Sequence, residues 1–203
     1  MNNENQIKRL AFIDANNTLA TAKNLLGFSI DWIKLYDHLK KRWTCDRIFF
    51  YSGIALGDNE TGREYDELEK LGYEMRTKTT MVYKRKDRDI VVNCSNCGHK
   101  NIKTISMGYE NKSNCDVELT LDVLENVKER AEILIFTGDG DFEFLIKYIV
   151  EARNAKVWIV SNTSKNLNTS KRFSTKLKSL LKNENIKLIN LDSWREKIKR
   201  HEA

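Results

Sequence analysis

Two apolar runs in this chain stop at aspartates. Leu10-Ala-Phe-Ile leads into Asp14, and Ile133-Leu-Ile-Phe leads through Thr137-Gly138 into Asp139-Gly140-Asp141. Each run has the length of a short buried strand. The glycine-flanked acids suit a tight turn, and Phe142, Leu145, Ile146 and Ile149 then recur at helical spacing. A further acid, Asp116, opens another amphipathic stretch. Ligands of open α/β sheets bind beyond the carboxyl ends of strands, so acids placed there can converge. Clustered carboxylates repel unless a divalent cation offsets their charge. Oxygen-only ligands favour Mg²⁺ or Mn²⁺ over Zn²⁺. Such a site supports attack of water on phosphorus, with the ion activating the water and stabilising charge. Asp14, Asp116, Asp139 and Asp141 are therefore the candidate metal ligands and catalytic acids. Any one of them could simply cap a helix or shape a turn; the four together carry the reading.

The elements that must position these acids alternate in type. Strands are expected over 10–13, 47–51, 73–77, 133–136, 156–160 and 187–191, with 81–92 extending the third. Helices are expected over 30–42 with Ser29 as N-cap, over 61–71 ending at Gly72, and over 142–152. Another should run from Asp116 to about Arg130, with Val117, Leu121, Leu124 and Val127 as its apolar stripe. A basic helix over 171–182 and a last one from Ser193 complete the set. The pattern predicts one α/β domain over 1–203, with a central, mainly parallel sheet flanked by helices. The polar, glycine-containing stretch 93–113 is expected to be a loop or insertion.

The 203 residues carry 35 Lys and Arg against 29 Asp and Glu, a net charge of +6. The excess is localised. The C-terminal segment 165–203 holds eleven basic residues against four acidic, and 76–103 holds eight against two. A basic segment beside a carboxylate cluster suits a phosphate-rich polymer: the metal handles the reacting phosphate while Lys and Arg hold its neighbours. Mean hydropathy is −0.57. No apolar run approaches the roughly 20 residues of a membrane span. The N-terminal residues lack a signal-peptide core, so no membrane partner and a cytoplasmic location are expected. Four cysteines in such a chain do not make a disulfide framework.

Cys94-Ser-Asn-Cys97-Gly98-His99 has the look of one zinc knuckle. A structural zinc takes four ligands, and the remaining candidates are His99 and Cys115 or a second chain's pair, which makes a homodimer a candidate assembly. Free thiols and a redox disulfide are the alternatives. Only His38, His99 and His201 are present, and none suggests a Ser-His-Asp or Cys-His arrangement. His38 is expected on a helix surface. The four tryptophans are scattered along the chain and suit the core better than a stacking platform.

Three segments also carry a family resemblance. Phe12-Ile-Asp14-Ala-Asn-Asn17, Lys112-Ser-Asn-Cys-Asp116-Val-Glu-Leu-Thr-Leu-Asp122 and Thr137-Gly-Asp139-Gly-Asp141-Phe142 resemble the signature segments of the NYN domain family. That family includes the LabA-like proteins and is related to PIN-domain nucleases. The resemblance covers residues 7–162 in matching order and spacing. It implies a PIN-like three-layer fold, a Mg²⁺ or Mn²⁺ site and endoribonuclease activity on RNA. It makes Asp14, Asp116, Asp139 and Asp141 the metal-site acids, Asn17 a substrate-contacting or positioning amide, and Lys112 a phosphate contact. Asn16 competes with Asn17 for the amide role. Asp122 lies six positions after Asp116, about 120° around the helix, and is expected behind the ligands rather than among them. Asn154 stands where relatives often carry glycine before the fifth strand.

Two rivals remain on sequence grounds. A haloacid-dehalogenase-like phosphatase also has an Asp after its first strand, but it wants a second Asp where this chain has Asn16, and it leaves Asp116 unexplained. A non-catalytic RNA-binding or regulatory module on the same fold would have less reason to keep all four acids.

Overall fold

The computed structural model describes residues 8–112, 114–162 and 173–200, apart from the side chains of 110–112. Residues 165–172 and 201–203 of the basic C-terminal segment, with His201, lie outside the described residues.

The chain opens with β1 (Arg9–Asp14), whose Asp14 caps α1 (Ala15–Ala20). A π-helical turn over Thr21–Leu26 continues α1 and ends at Gly27. Then come α2 (Trp32–Lys41), β2 (Arg47–Ala55) and α3 (Asn59–Leu71). Four strands follow without a helix: β3 (Glu74–Lys84), β4 (Arg88–Asn93), β5 (Lys100–Ile105) and β6 (Tyr109–Lys112). The second half alternates again, through α4 (Asp116–Asn126), β7 (Glu132–Phe136), α5 (Glu143–Arg153) and β8 (Lys156–Ser161). It closes with α6 (Thr175–Leu180), β9 (Ile186–Asn190) and α7 (Arg195–Ile198).

Seven strands form one sheet in the order β6-β3-β2-β1-β7-β8-β9. All pairings are parallel except β3 with β6 at the edge. Successive residues of a strand face opposite sides, and both sides are covered here. Phe12, Tyr51, Ile135 and Ile159 pack under α4, α5 and α6. Ile13, Phe50, Phe136 and Val160 pack under α2, α3 and α7. Strands buried on both faces explain the near-continuous apolar runs in the sequence. This is the α/β architecture, a mainly parallel sheet flanked by helices, that the alternation predicted. Among the described residues no helix is long and apolar enough to cross a membrane.

The structure corrects several local expectations. Asp31, not Ser29, caps α2 by accepting from Lys34 N at 3.0 Å, while Ile30 leaves the helix to bridge Lys199. The stretch 93–112 holds strands where a loop or insertion was expected: β5 pairs with β4 apart from the main sheet, and β6 pairs with the end of β3 after β3 outruns β2. Sequence periodicity could not reveal these strands, because β5 is exposed at every position and buries no alternating face. The buried side of α4 is also rotated. Leu119, Asp122 and Val123 face inward while Val117 and Leu121 are exposed. Burying a carboxylate turns the helix away from its most apolar stripe. His38 is half-buried, not a surface residue: its ring packs on Trp194 with centroids 4.7 Å apart. Trp43 joins the same cluster, 5.8 Å from both Trp158 and Trp194. Three tryptophans scattered in sequence thus meet in space and brace the α7 side of the sheet.

Candidate active site

Strand order sets the site. From β1 the chain winds outward to β2 and β3, and from β7 it winds the other way to β8 and β9. The reversal falls between β1 and β7, which is where an open α/β sheet leaves a crevice beyond its carboxyl ends. A cleft of about 720 Å³ opens there, lined in part by Asp14, Asp116 and Asp139.

Each acid is held by its own element. Asp14 ends β1 and accepts from Asn17 N at 3.0 Å, which aims its carboxylate across the start of α1. Asp139 follows β7 and caps the 3₁₀ turn Gly140–Phe142, accepting from Asp141 N at 3.0 Å. Asp116 begins α4, where the helix N-terminus favours negative charge. The two central strand ends are tied together. Gly138 N donates to Asn17 Oδ1 at 2.9 Å, and Thr18 Oγ1, which donates to Asp14 O at 2.6 Å, also reaches Phe136 O at 3.5 Å. The side-chain oxygen of Asn17 is therefore committed to fixing the Gly138 turn. Asn16 is tied elsewhere: Ser52 Oγ donates to its Oδ1 at 3.4 Å.

The electrostatics match three carboxylates without enough positive charge. Burial, then the fields of Asp116 and Asp139, push the Asp14 carboxyl from 3.8 up to about 6, against the lowering effect of its Asn17 hydrogen bond. Burial also raises Asp116, helped by Asp139 and Asp141 and opposed by a hydrogen bond with Asn114. Asp141 is exposed and does not line the cleft; it stands at the rim, near enough to act on Asp116. Among the described residues no three His, Cys, Asp or Glu side chains are drawn together tightly enough to hold an ion. The donor set nevertheless fits a hard divalent cation: three carboxylates line one cleft, and the burial and repulsion that raise Asp14 are what such an ion offsets.

Two glycines stand in close approach to their neighbours. A Cβ on Gly138 would lie 2.9 Å from Ser161 Oγ, and one on Gly140 would lie 2.3 Å from Ser174 Oγ and 3.1 Å from Ser174 Cβ. The Gly-Asp-Gly turn is thus packed against the ends of β8 and the approach to α6, and Ser174 N donates to Gly138 O at 3.1 Å.

Asp122 sits one turn and more behind the cleft. Tyr51, itself a lining residue, donates its hydroxyl to Asp122 Oδ2 at 2.9 Å, and Arg76 Nε lies 3.1 Å from the same oxygen. Asp122 therefore touches the site only through Tyr51. Lys112 ends β6, and its side chain lies outside the described residues. Asn154 adopts φ 49°, the left-handed conformation in which glycine is favoured and asparagine is among the better substitutes.

The four residues considered for zinc do not assemble. Cys115 is buried at the start of α4, its thiol directed at Ser52 O at 3.5 Å. Cys94 and Cys97 lie on the turn of the separate β4–β5 hairpin with exposed His99. Cys115 is thus a packing residue beside the cleft, because β2 and β3 hold its side chain under the sheet edge.

Several lining residues were missed in the sequence: Tyr51 and Ser52 after the run of β2, Ser161 and Asn162 after that of β8, and Phe173 and Ser174 before α6. For the residues of β2 and β8 the signal was a polar group at the end of an apolar run, and it gains meaning only once β2 and β8 are known to flank β1 and β7.

Residues 9–181 match the profile of the NYN domain. The chain is 30% identical over 156 residues to the low amplitude and bright protein LabA of Synechococcus elongatus, across 75% of this chain and 73% of that protein. It also shares its fold, at a TM-score of 0.61 and 19% identity, with a protein of unknown function from Vibrio parahaemolyticus, covering 95% of this chain and 98% of the other. The profile match takes in both central strand ends and all four acids, and with the identity to LabA it places this chain in the NYN domain family, whose fold is that of PIN-like nuclease domains.

Proposed function

We propose that this protein is a metal-dependent ribonuclease that hydrolyses RNA phosphodiester bonds within the strand, in the cleft between β1 and β7. The observation that carries the reading is that Asp14, Asp116 and Asp139 line one cleft at the topological switch point, with Asp14 raised by burial and then by the charge of the other two. These three carboxylates would hold Mg²⁺ or Mn²⁺. The bound ion would lower the pKa of a water and stabilise negative charge growing on the phosphate oxygens.

The rest is the work of this chain's own residues. Asp141, at the rim, orients water or the second face of the substrate. Asn17 is a positioning residue: by holding Gly138 N it sets where Asp139 points. Asp122 and Arg76 fix the Tyr51 hydroxyl at the wall. Thr175 lines the cleft and Lys176 follows it on α6, which puts a cation beside the path of a neighbouring phosphate. The basic β3–β5 region supplies further sequence-independent attraction for the strand. Hydrolysis adds the water oxygen to phosphorus, breaks one P–O ester bond and leaves a hydroxyl on one product and a phosphate on the other.

The purified protein, incubated with RNA, single-stranded DNA and p-nitrophenyl phosphate with and without Mn²⁺, tests the proposal. Cleavage of RNA that stops in EDTA is expected. Turnover of the small ester alone would point to a phosphatase, and RNA binding without cleavage would point to a regulatory module.

A further inference from the structure

A two-stranded hairpin is at best marginally stable in water, yet β4 and β5 pair from Arg88↔Ile105 to Asn93↔Lys100 outside the main sheet. Every residue of β5 is exposed, and in β4 only Ile90 is half-buried. Val91 and Ile102 face each other across the ladder at 63% and 73% exposure. No core formed by the described residues covers them, so the hairpin lacks the usual source of stability.

Its turn is built around two thiols. Cys94 N donates to His99 O at 2.8 Å, and Gly98 N donates to Cys94 O at 2.9 Å. Gly98 supplies φ +70°, which the sharp return requires. Cys94 and Cys97 sit on this one short turn, where the amides of Cys97 and Asn96 and then the Cys97 thiol hold the Cys94 thiol below its usual range. N–H donors of this kind stabilise a thiolate over a thiol. They are the outer contacts that orient a sulfur for a metal.

Two thiolates are half of what a structural zinc takes. Among the described residues this chain offers no third ligand beside them. Cys45 and Cys115 are both buried elsewhere. The tip itself is accessible, with Cys97 exposed, and a second copy can present the same pair to it. A two-fold axis through one ion makes such a contact self-complementary and closed.

We propose that Cys94 and Cys97 of two copies of this chain bind one Zn²⁺ as a tetrathiolate, joining the molecules through their β4–β5 hairpins. Four thiols release four protons to solvent as the ion binds, leaving a site of charge −2. Lys100, on the last rung beside the turn, partly offsets it. The shared ion is the staple that so small an unsupported unit needs. The assignment is independent of the chemistry in the cleft.

The test uses the full chain, reduced, stripped with EDTA and titrated with Co²⁺ and then Zn²⁺, read by absorption and by light scattering after size exclusion. The expected result is half a sulfur-bound ion per chain, counted from the visible bands of tetrahedral all-sulfur cobalt, and a mass of twice 23.7 kDa. A Cys94→Ser/Cys97→Ser variant should lose uptake and dimer together while its main melting transition stays in place, and His99→Ala should change neither. One sulfur-bound ion per monomer, no sulfur-bound ion, a Cys94–Cys97 disulfide as the stable form under mild oxidation with no response to metal, or a dimer that survives the double substitution would each overturn the proposal.

Discussion

Replacing Asp14 by Asn should make the metal-free protein more stable. Asp14 is the most perturbed acid of the cleft, raised from 3.8 to about 6 by burial and by its two acidic neighbours. The folded state therefore holds this proton more tightly than the unfolded chain does. The resulting penalty is absent below pH 3.8, grows as pH rises toward 6 and is complete above that. A rise of this size corresponds to about 3 kcal/mol at pH 7.5, taken as an upper bound. Asn is uncharged and escapes the penalty. It also keeps the cap, since its side-chain oxygen can accept from Asn17 N as Asp14 does now. At about 2–4 °C per kcal/mol for a chain of this size, the variant should melt several degrees higher in EDTA at pH 7.5. The gap should close as pH falls to 4, where wild-type Asp14 is itself protonated. Saturating Mn²⁺ should reverse the order, raising the wild-type melting temperature more than the variant's. A variant less stable than wild type in EDTA at pH 7.5, or a gap that ignores pH, would refute the argument that these carboxylates strain the fold.

Other substitutions probe the positioning elements. Leu119→Ala should cost about 2–5 kcal/mol in urea unfolding, whereas Leu121→Ala on the exposed side of α4 should cost less than about 0.5 kcal/mol; equal costs would contradict the register of this helix. Gly140→Ala should cost about 1–3 kcal/mol through its contact with Ser174, and adding Ser174→Ala should restore part of that loss. Asn17→Ala removes the acceptor for Gly138 N, so Mn²⁺-dependent cleavage should drop at least about tenfold with RNA affinity nearly unchanged; a loss of affinity instead would make Asn17 a substrate contact.

The strand ends were legible from sequence because parallel strands buried on both faces produce unbroken apolar runs, and the acids stand where those runs stop. That gave β1, β7, Asp14 and Asp139 before any coordinates. Features that depend on a partner surface were harder to read. The face of α4 was misjudged because Asp122 goes inward to Tyr51 and Arg76, a pairing that hydropathy counts against burial. The β4–β5 hairpin was missed because it buries nothing. Cys115 looked like a partner for Cys94 and Cys97 only because it follows them in the chain; β2 and β3 hold it elsewhere. Asp141 adjoins Asp139 in sequence, but the 3₁₀ turn sends it to the rim.

The most direct measurement of the central claim follows a 5′-labelled single-stranded RNA with Mn²⁺, comparing wild type with Asp139→Asn. Asn can keep the cap on the 3₁₀ turn, so folding and RNA binding should persist while the metal-holding charge is lost. The account predicts internal cleavage by wild type, none in EDTA, and a loss of at least about a hundredfold in the variant at undiminished RNA affinity. Cleavage by the variant at the wild-type rate, or cleavage by wild type that is indifferent to EDTA, would contradict it.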